Sequence, residues 1–600
     1  MRILSKKILS VMLSFAMVVS LASIAVAPAS ALAEETTETA APQAATLQAP
    51  GNTDADTGPA AGNIQAPAKA KGATALPGAP STATTSTLSS TPAGVIAPGD
   101  VCAIGATGYP SLDAALVTIT DATHTTIKLL TDITEPNGCV IVNRNITFDL
   151  NGKNLIFTNN NDSALDLESS NIDYTNPGTL QAICTVSGSG GSGLYISGGS
   201  CELTHAEKNG DYFEAVTAVD GAVVTVNGNV VAKGETAWGV YSGDGSSVTV
   251  NGNISAENGY GVYTESDGSK VTVIGNVTTG DLSGDSYNAV YAVDDAKITV
   301  TGNVTEAGGG DAAVYADEGS TITIVGNVLA SGNDCDAVDA VSATVTISGN
   351  ISASGKGSWG VYADPGSTVT ITGNVTATFI GIEACDPGTT VVVNGNVKTT
   401  EDDSAGVVCY DKAKVTINGD VTAEGNGNVG IFVYSGQVGA GVVHVTGNVN
   451  VPGSGSIGAL ITGAAGEQVT IDGLINTADE VDGYVIVGQI PMAKADGVAS
   501  TLKSGYMAYT QGTEGTDGTV WVGNKVPPAP TPTPTPTPNP TPKPKPTPKP
   551  KPLNVPLSGL PATGDSGLPV TGLAIGLVAA LGLSGLALLD ERRLFWVKAR

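Results

Sequence analysis

From Ala215 to Ile475 the apolar and polar positions alternate in short runs that return at a nearly constant interval. Each unit holds a β-branched triplet such as Val248-Thr249-Val250, a spacer, and then Gly-Asn followed by Val or Ile. Aligned on the Asn, the copies fall at Asn229, Asn253, Asn276, Asn303, Asn327, Asn350, Asn374, Asn396, Asp420 in the same place, Asn448, and a degenerate last copy at Leu474. Period-two alternation and β-branching predict strands, and Gly-Asn predicts corners that tolerate left-handed backbone. A second segment precedes each triplet. Alternation points Val240, Val262, Val290, Val314, Val338, Val361, Ile382 and Val407 inward, with the small residues Ala218, Ala292, Ala316, Ala363, Cys385 and Cys409. The intervening column, Tyr241, Tyr263, Tyr291, Tyr315 and Tyr362, is then expected to face out. A third short strand follows Gly-Asn, as in Asn253-Ile254-Ser255-Ala256.

Most copies lie 22 to 24 residues apart, and one interval near the end reaches 28. A unit of that size cannot bury its own apolar face and must stack on its neighbours. Three strands per turn in stacked coils predict an all-β chain, a right-handed parallel β-helix solenoid. At about 4.8 Å per coil, the 11 copies span roughly 53 Å. Ahead of the repeats, Ser111 is placed to cap a short helix carrying Leu112, Ala115 and Leu116, a lid for the first coil. Strands are expected at Ile127 to Leu130 and Ile146 to Leu150. Closing strands are expected at Tyr484 to Gln489 and Thr519 to Val522, with Trp521 packing the C-terminal end.

The flanks read differently. Arg2, Lys6 and Lys7 precede an apolar run from Ile8 to about Ala27, and Ala31-Leu32-Ala33 supplies small residues before Glu34. That order predicts a secretory signal peptide over 1–33, cleaved after Ala33. Residues 34–99 are Ala, Thr, Pro, Ser and Gly with almost no large apolar side chain, too little to offset the entropy of ordering them. A disordered arm is expected there, and the β-helix domain over 100–525. In 526–559 Pro alternates with Thr or Lys, and from Pro527 to Pro552 a polyproline II spacer at about 3.1 Å per residue would reach roughly 80 Å. Leu560-Pro561-Ala562-Thr563-Gly564 is followed by an uncharged apolar run, 568–589, long enough to span a bilayer as a helix. Arg592, Arg593, Lys598 and Arg600 hold the tail inside, diluted by Asp590 and Glu591.

Two stretches carry family resemblances. Tyr109-Pro110-Ser111-Leu112-Asp113-Ala114-Ala115-Leu116, with Phe148-Asp149-Leu150-Asn151-Gly152-Lys153, resembles the N-terminal opening of pectate-lyase-like β-helix surface proteins, a likeness covering about 100 to 525. It speaks to fold more than to activity, because that solenoid carries lyases, hydrolases and adhesins alike. The pentapeptide, span and basic tail over 560–600 resemble the LPXTG cell-wall sorting signal of Gram-positive surface proteins. The resemblance implies that a sortase cysteine attacks the carbonyl of Thr563, releases everything from Gly564 onward, and passes the acyl group to a peptidoglycan precursor amine. Leu568-Pro569-Val570-Thr571-Gly572 is a second match, but it lies inside the apolar run and its use would shorten the span.

Composition narrows the function. The net charge of −29, with only 14% of residues charged, opposes nucleic acid as a partner. Seven Cys in an exported chain invite a disulfide reading, in which Cys184 and Cys201 could pair locally, whereas Cys385 and Cys409 read as a buried thiol stack. No spacing resembles a zinc site, and neither metal nor cofactor is expected. A lyase of the pectate type needs a base, usually Arg, beside an acidic calcium site. Arg144 is the one Arg between the signal peptide and the tail, and it lies outside the repeats. A hydrolase needs two carboxylates about 5–9.5 Å apart. The pairs Asp294-Asp295, Asp334-Asp336 and Asp402-Asp403 fall at coil corners, where solvated acids are the ordinary reading. Of the 3 His, His124, His205 and His444, the last replaces Thr in an outward column. The Asn and Thr columns are assigned to stacking. Trp238, Tyr241, Tyr260 and Tyr263, gathered on two coils, form a candidate glycan-binding strip. The expectation is a non-catalytic surface rod bound to peptidoglycan, adhering to host or environmental glycans or matrix proteins; the alternative is a polysaccharide hydrolase or lyase displayed on the wall.

Overall fold

A computed structural model describes residues 95–186, 190–280, 287–309, 312–435 and 439–524. The expected signal peptide, the expected arm up to residue 94, the Pro-rich segment and the expected sorting signal with its 568–589 span lie outside these residues. Among the described residues no helix is long and apolar enough to cross a membrane.

Each repeat folds into three strands, and each strand pairs in parallel with its equivalent in the next coil. The first ladder runs through Trp238–Ser242, Val262–Thr264 and Val290–Ala292, and the second through Ser247–Val250, Lys270–Ile274 and Lys297–Thr301. The third runs through Ile254–Asn258, Val277–Thr279 and Val304–Glu306 and forms a sheet of 15 strands, one per turn. The result is a right-handed-type parallel β-solenoid of about 15 turns. In the early coils single long strands, Leu165–Thr175 and Leu194–Leu203, serve the first two ladders at once.

Two columns that the alternation predicts line the first-ladder wall of the lumen. Val240, Val262, Val290, Val314, Val338, Val361, Ile382 and Val407 stack in register, all at 0% exposure. Ala292, Ala316, Ala340, Ala363, Ala384 and Cys409 follow as the small column. Cys385 is therefore displaced from its expected place. Ala384 pairs with Ala363 and Cys409, so Cys385 is one residue further on and points to the outer side. The local disulfide is also corrected, since all seven thiols are free. Cys184 ends a strand of the third ladder, while Cys201 pairs with Val224 in the second.

The Gly-Asn step works differently from the expectation. Most of its glycines are not left-handed. A Cβ on Gly326 or Gly349 would stand 2.0 Å from the carbonyl oxygen of the glycine one coil below, so Gly is required by the close approach of backbones. Left-handed non-glycine residues sit instead at the other corners, among them Asp220, Asp244 and Asp294 between the first and second ladders and Asp334 and Asp403 between the third and the first. Nor do the Asn side chains pair mainly with each other. Each Oδ1 accepts the backbone N–H of the next Asn along, at 2.9 Å for Asn229 from Asn253 and 2.8 Å for Asn276 from Asn303. Asp420 substitutes freely because only an oxygen is needed, and it accepts from the N–H of Asn448 at 2.6 Å. Leu474 ends the file by donating its N–H to Asn448 at 3.0 Å.

Both ends are closed by antiparallel strands. Cys102–Ile104 pairs with Thr107–Tyr109 and Thr125–Leu129, and Ser111 caps the helix Leu112–Leu116 by accepting the Ala114 N–H at 3.1 Å. Strands at Asn145–Asp149, Val485–Val487 and Thr519–Gly523 lie close to their expected places. At the far end Tyr506–Tyr509 runs antiparallel to Thr519–Gly523 and covers the open edge of the last coil. Trp521 is 2% exposed, with the Lys503 ammonium 4.3 Å from a ring centroid.

Candidate functional site

The outer face of the first ladder is where the repeat departs from monotony. Its middle column reads Tyr241, Tyr263, Tyr291, Tyr315, Asp339, Tyr362, Glu383, Val408 and Phe432, each in register with the next. Two residues along each strand lies a rim column that includes Glu265, Asp317, Asp364, Cys385 and Tyr410. Three residues before the middle column stand Trp238 and Tyr260, and further on Trp359 and Ile380.

Trp238, Tyr241, Tyr260 and Tyr263 do meet. Trp238 packs edge-on against Tyr260 with centroids 5.0 Å apart, and Tyr241 stacks on Tyr263 at 5.6 Å. The stack continues through Tyr291 and Tyr315 at 4.8 Å per step. They are not, however, an exposed file. Tyr241 is 2% and Trp238 6% exposed, while Tyr260 and Tyr263 are half-buried. The cause is geometric. The rise of a coil matches the thickness of a stacked ring, so successive faces cover one another and only edges and hydroxyls reach solvent.

Those hydroxyls are committed. Tyr241 and Tyr263 donate to the two oxygens of Glu265 at 2.6 and 2.7 Å, and Tyr315 donates to Asp317 at 3.3 Å. Burial, and then the nearby carboxylates, push the Tyr hydroxyls above their ordinary value, that of Tyr291 to about 12. They remain neutral donors at any physiological pH.

Further along the same face the acids move inward. Glu383 occupies the middle column at 0% exposure, its Oε1 accepting from Tyr410 at 3.1 Å. Burial dominates its carboxyl, which rises to about 8 despite the Tyr410 hydrogen bond, with the charge of Asp364 adding to the rise. Asp364 accepts from Tyr362 at 3.1 Å and from the Cys385 thiol at 3.1 Å. Burial raises the Asp364 carboxyl and the Cys385 thiol as well.

Of the corner acids, Asp294, Asp295, Asp334, Asp402 and Asp403 are exposed, but Asp336 is buried and accepts the Trp359 N–H at 3.3 Å. A second grouping combines the repeat with the C-terminal cap. An open depression of about 370 Å³ is lined by His444, Gln468, Thr470, Asp472, Lys503 and Tyr506, among others. Asp472 Oδ1 meets His444 at 3.1 Å and the Tyr506 hydroxyl at 2.6 Å. The bond to Asp472 holds Tyr506 up at about 12, making it a donor and not a base, and burial lowers the Lys503 ammonium. Asp472 is the only carboxylate in that lining. The sequence offered His444 as a change in the Thr column, and Asp472 lies on the next coil, but Lys503 and Tyr506 come from the cap, which has no repeat to align.

Together these features define a parallel β-solenoid with one aromatic and acidic face. No family model matches the chain, and no curated protein or solved structure matches it either.

Proposed function

We propose that this protein is a Gram-positive surface rod, joined by sortase through Thr563 to peptidoglycan, that holds the outer face of its first ladder toward glycan or matrix ligands without catalysing a reaction. The observation that carries the anchoring is the order in the sequence: Leu560 to Gly564, an apolar span over 568–589, and a basic tail. The solenoid supports the rest, since about 15 turns at about 4.8 Å make a scaffold of roughly 70 Å whose most varied surface is a single face. A sugar arriving there would meet the Tyr260 ring, the hydroxyl edges of Tyr263 and Tyr291, and the Glu265 rim. Edge contacts through hydroxyls and carboxylates are directional and suit a polyol better than an apolar ligand.

Fractionation of cell walls tests the anchor: Thr563→Ala should move the protein from the covalent peptidoglycan fraction to membrane and medium, and continued covalent attachment would show that another site is used. Glycan arrays probed with wild type and Tyr241→Ala/Tyr263→Ala test the face. Loss of a wild-type signal in a variant with an intact far-UV spectrum is expected, and equal binding removes the strip from consideration.

A further inference from the structure

We propose that Asp364, Cys385 and Asp386 bind a divalent cation of the zinc class, with Glu383 as the buried carboxylate that the bound charge stabilises. The pairing register makes the cluster. Because Ala363 pairs with Ala384, the next residues, Asp364 and Cys385, lie side by side on neighbouring coils with Sγ 3.1 Å from Oδ1. Asp386 follows directly, and one ligand atom from each of the three lies within 4.8 Å of the others. A tetrahedral zinc with bonds of about 2.0–2.3 Å wants its ligand atoms about 3.6 Å apart, so small side-chain rotations suffice. Asp364 and Asp386 are half-buried, which gives an ion a way in, whereas Cys385 is 3% exposed.

An independent observation points to the same place. Glu383, two residues before Cys385 on the same outward side, is fully buried, and its Oε2 has no hydrogen-bond partner. A carboxyl oxygen without a partner in a protein interior is rare and costly, and Glu383 pairs with Tyr362, which donates to Asp364, so a cation held by Asp364 would act on Glu383 from the neighbouring strand. The donor set selects the metal. One thiolate with carboxylates suits a borderline-soft ion such as Zn²⁺ or Co²⁺, whereas Ca²⁺ and Mg²⁺ take shells of oxygen. Binding displaces the Cys385 thiol proton to solvent and forms the metal–sulfur bond without a change of oxidation state.

The test is titration of the chelator-treated full chain with Co²⁺, whose bond to a thiolate gives a near-ultraviolet charge-transfer band. We expect the band to saturate at one Co²⁺ per chain, to be displaced by Zn²⁺, and to persist in Cys409→Ser, whose thiol faces the lumen. Cys385→Ser should abolish it. Asp364→Asn and Asp386→Asn, which keep side-chain shape, should each weaken binding at least 10-fold; they decide the matter if Cys385→Ser does not fold. Absence of the band in wild type, or its survival in Cys385→Ser or in both Asn variants, overturns the proposal.

Discussion

Two stretches of one ladder, Tyr241 to Tyr315 and Tyr362 to Tyr434, share a backbone and differ in where they put their acids. In the first, Tyr fills the middle column and the carboxylates of Glu265 and Asp317 sit on the rim, half-buried, each held by a Tyr hydroxyl. The second begins the same way, with Tyr362 donating to Asp364. Then the columns exchange members: Glu383 takes the Tyr place, and Cys385 and Tyr410 take the rim. The rim acids Glu265 and Asp317 are half-buried, whereas Glu383 one column inward is fully buried and burial raises its carboxyl to about 8. The difference shows that a solenoid can change the chemistry of a face while leaving its lumen untouched, because inner and outer columns alternate residue by residue.

The strongest way to break that comparison is to move a middle-column acid into the first stretch. Tyr315→Glu would lie between Tyr291 and Asp339 with Asp317 close by. Without a hydroxyl donor placed for it, we expect a loss of about 3–5 kcal/mol in urea unfolding at neutral pH. A smaller perturbation removes the donor from the second stretch. Tyr410→Phe strips Glu383 of its Tyr410 hydrogen bond and should cost about 1–3 kcal/mol by the same measurement. Tyr263→Phe should cost less, about 0.5–1.5 kcal/mol, because Glu265 is half-exposed and keeps the bond from Tyr241. Equal losses for the two Phe variants would erase the distinction between rim and middle acids.

The last effect is silent at neutral pH. The Tyr291 hydroxyl is raised from 10.0 to about 12, chiefly by burial. A raised acid favours the folded state while it is protonated, so its contribution is complete below pH 10 and is lost as pH climbs toward 12. The part of the phenolate absorbance that comes from the stacked rings should therefore appear together with unfolding and not before it. Free titration of the Tyr stack in a folded chain would mean that the rings are more accessible than their stacking implies.

Much of the architecture was legible because stacking repeats it. Val, Thr and Asn recur at one interval, and each recurrence marks a column that the register reproduces, as Thr249 over Thr272 over Thr299. The cap helix was legible from Ser111 with the apolar Leu112, Ala115 and Leu116 behind it. Legibility failed where the column marker was missing. In Gly381 to Cys385 the Tyr that fixes parity elsewhere is Glu383, so the small-residue place was assigned to Cys385 when Ala384 holds it. Alternation also names the side on which a residue lies, not what covers it, which is why Tyr241 was expected at the surface. The cluster around Asp472 was invisible for a third reason: Tyr506 is 34 residues away in sequence, on a cap strand without periodicity.

The Asn file has a direction. Each coil offers one oxygen as a socket and fills the socket of the coil before it with a backbone N–H. A chain that emerges N-terminus first could lock its coils in the order they appear, each finished turn templating the next. Leu474 plugs the socket of Asn448 and, lacking a side-chain oxygen, presents none of its own. The file of sockets therefore ends at Leu474, where the cap strands take over the closing of the last coil.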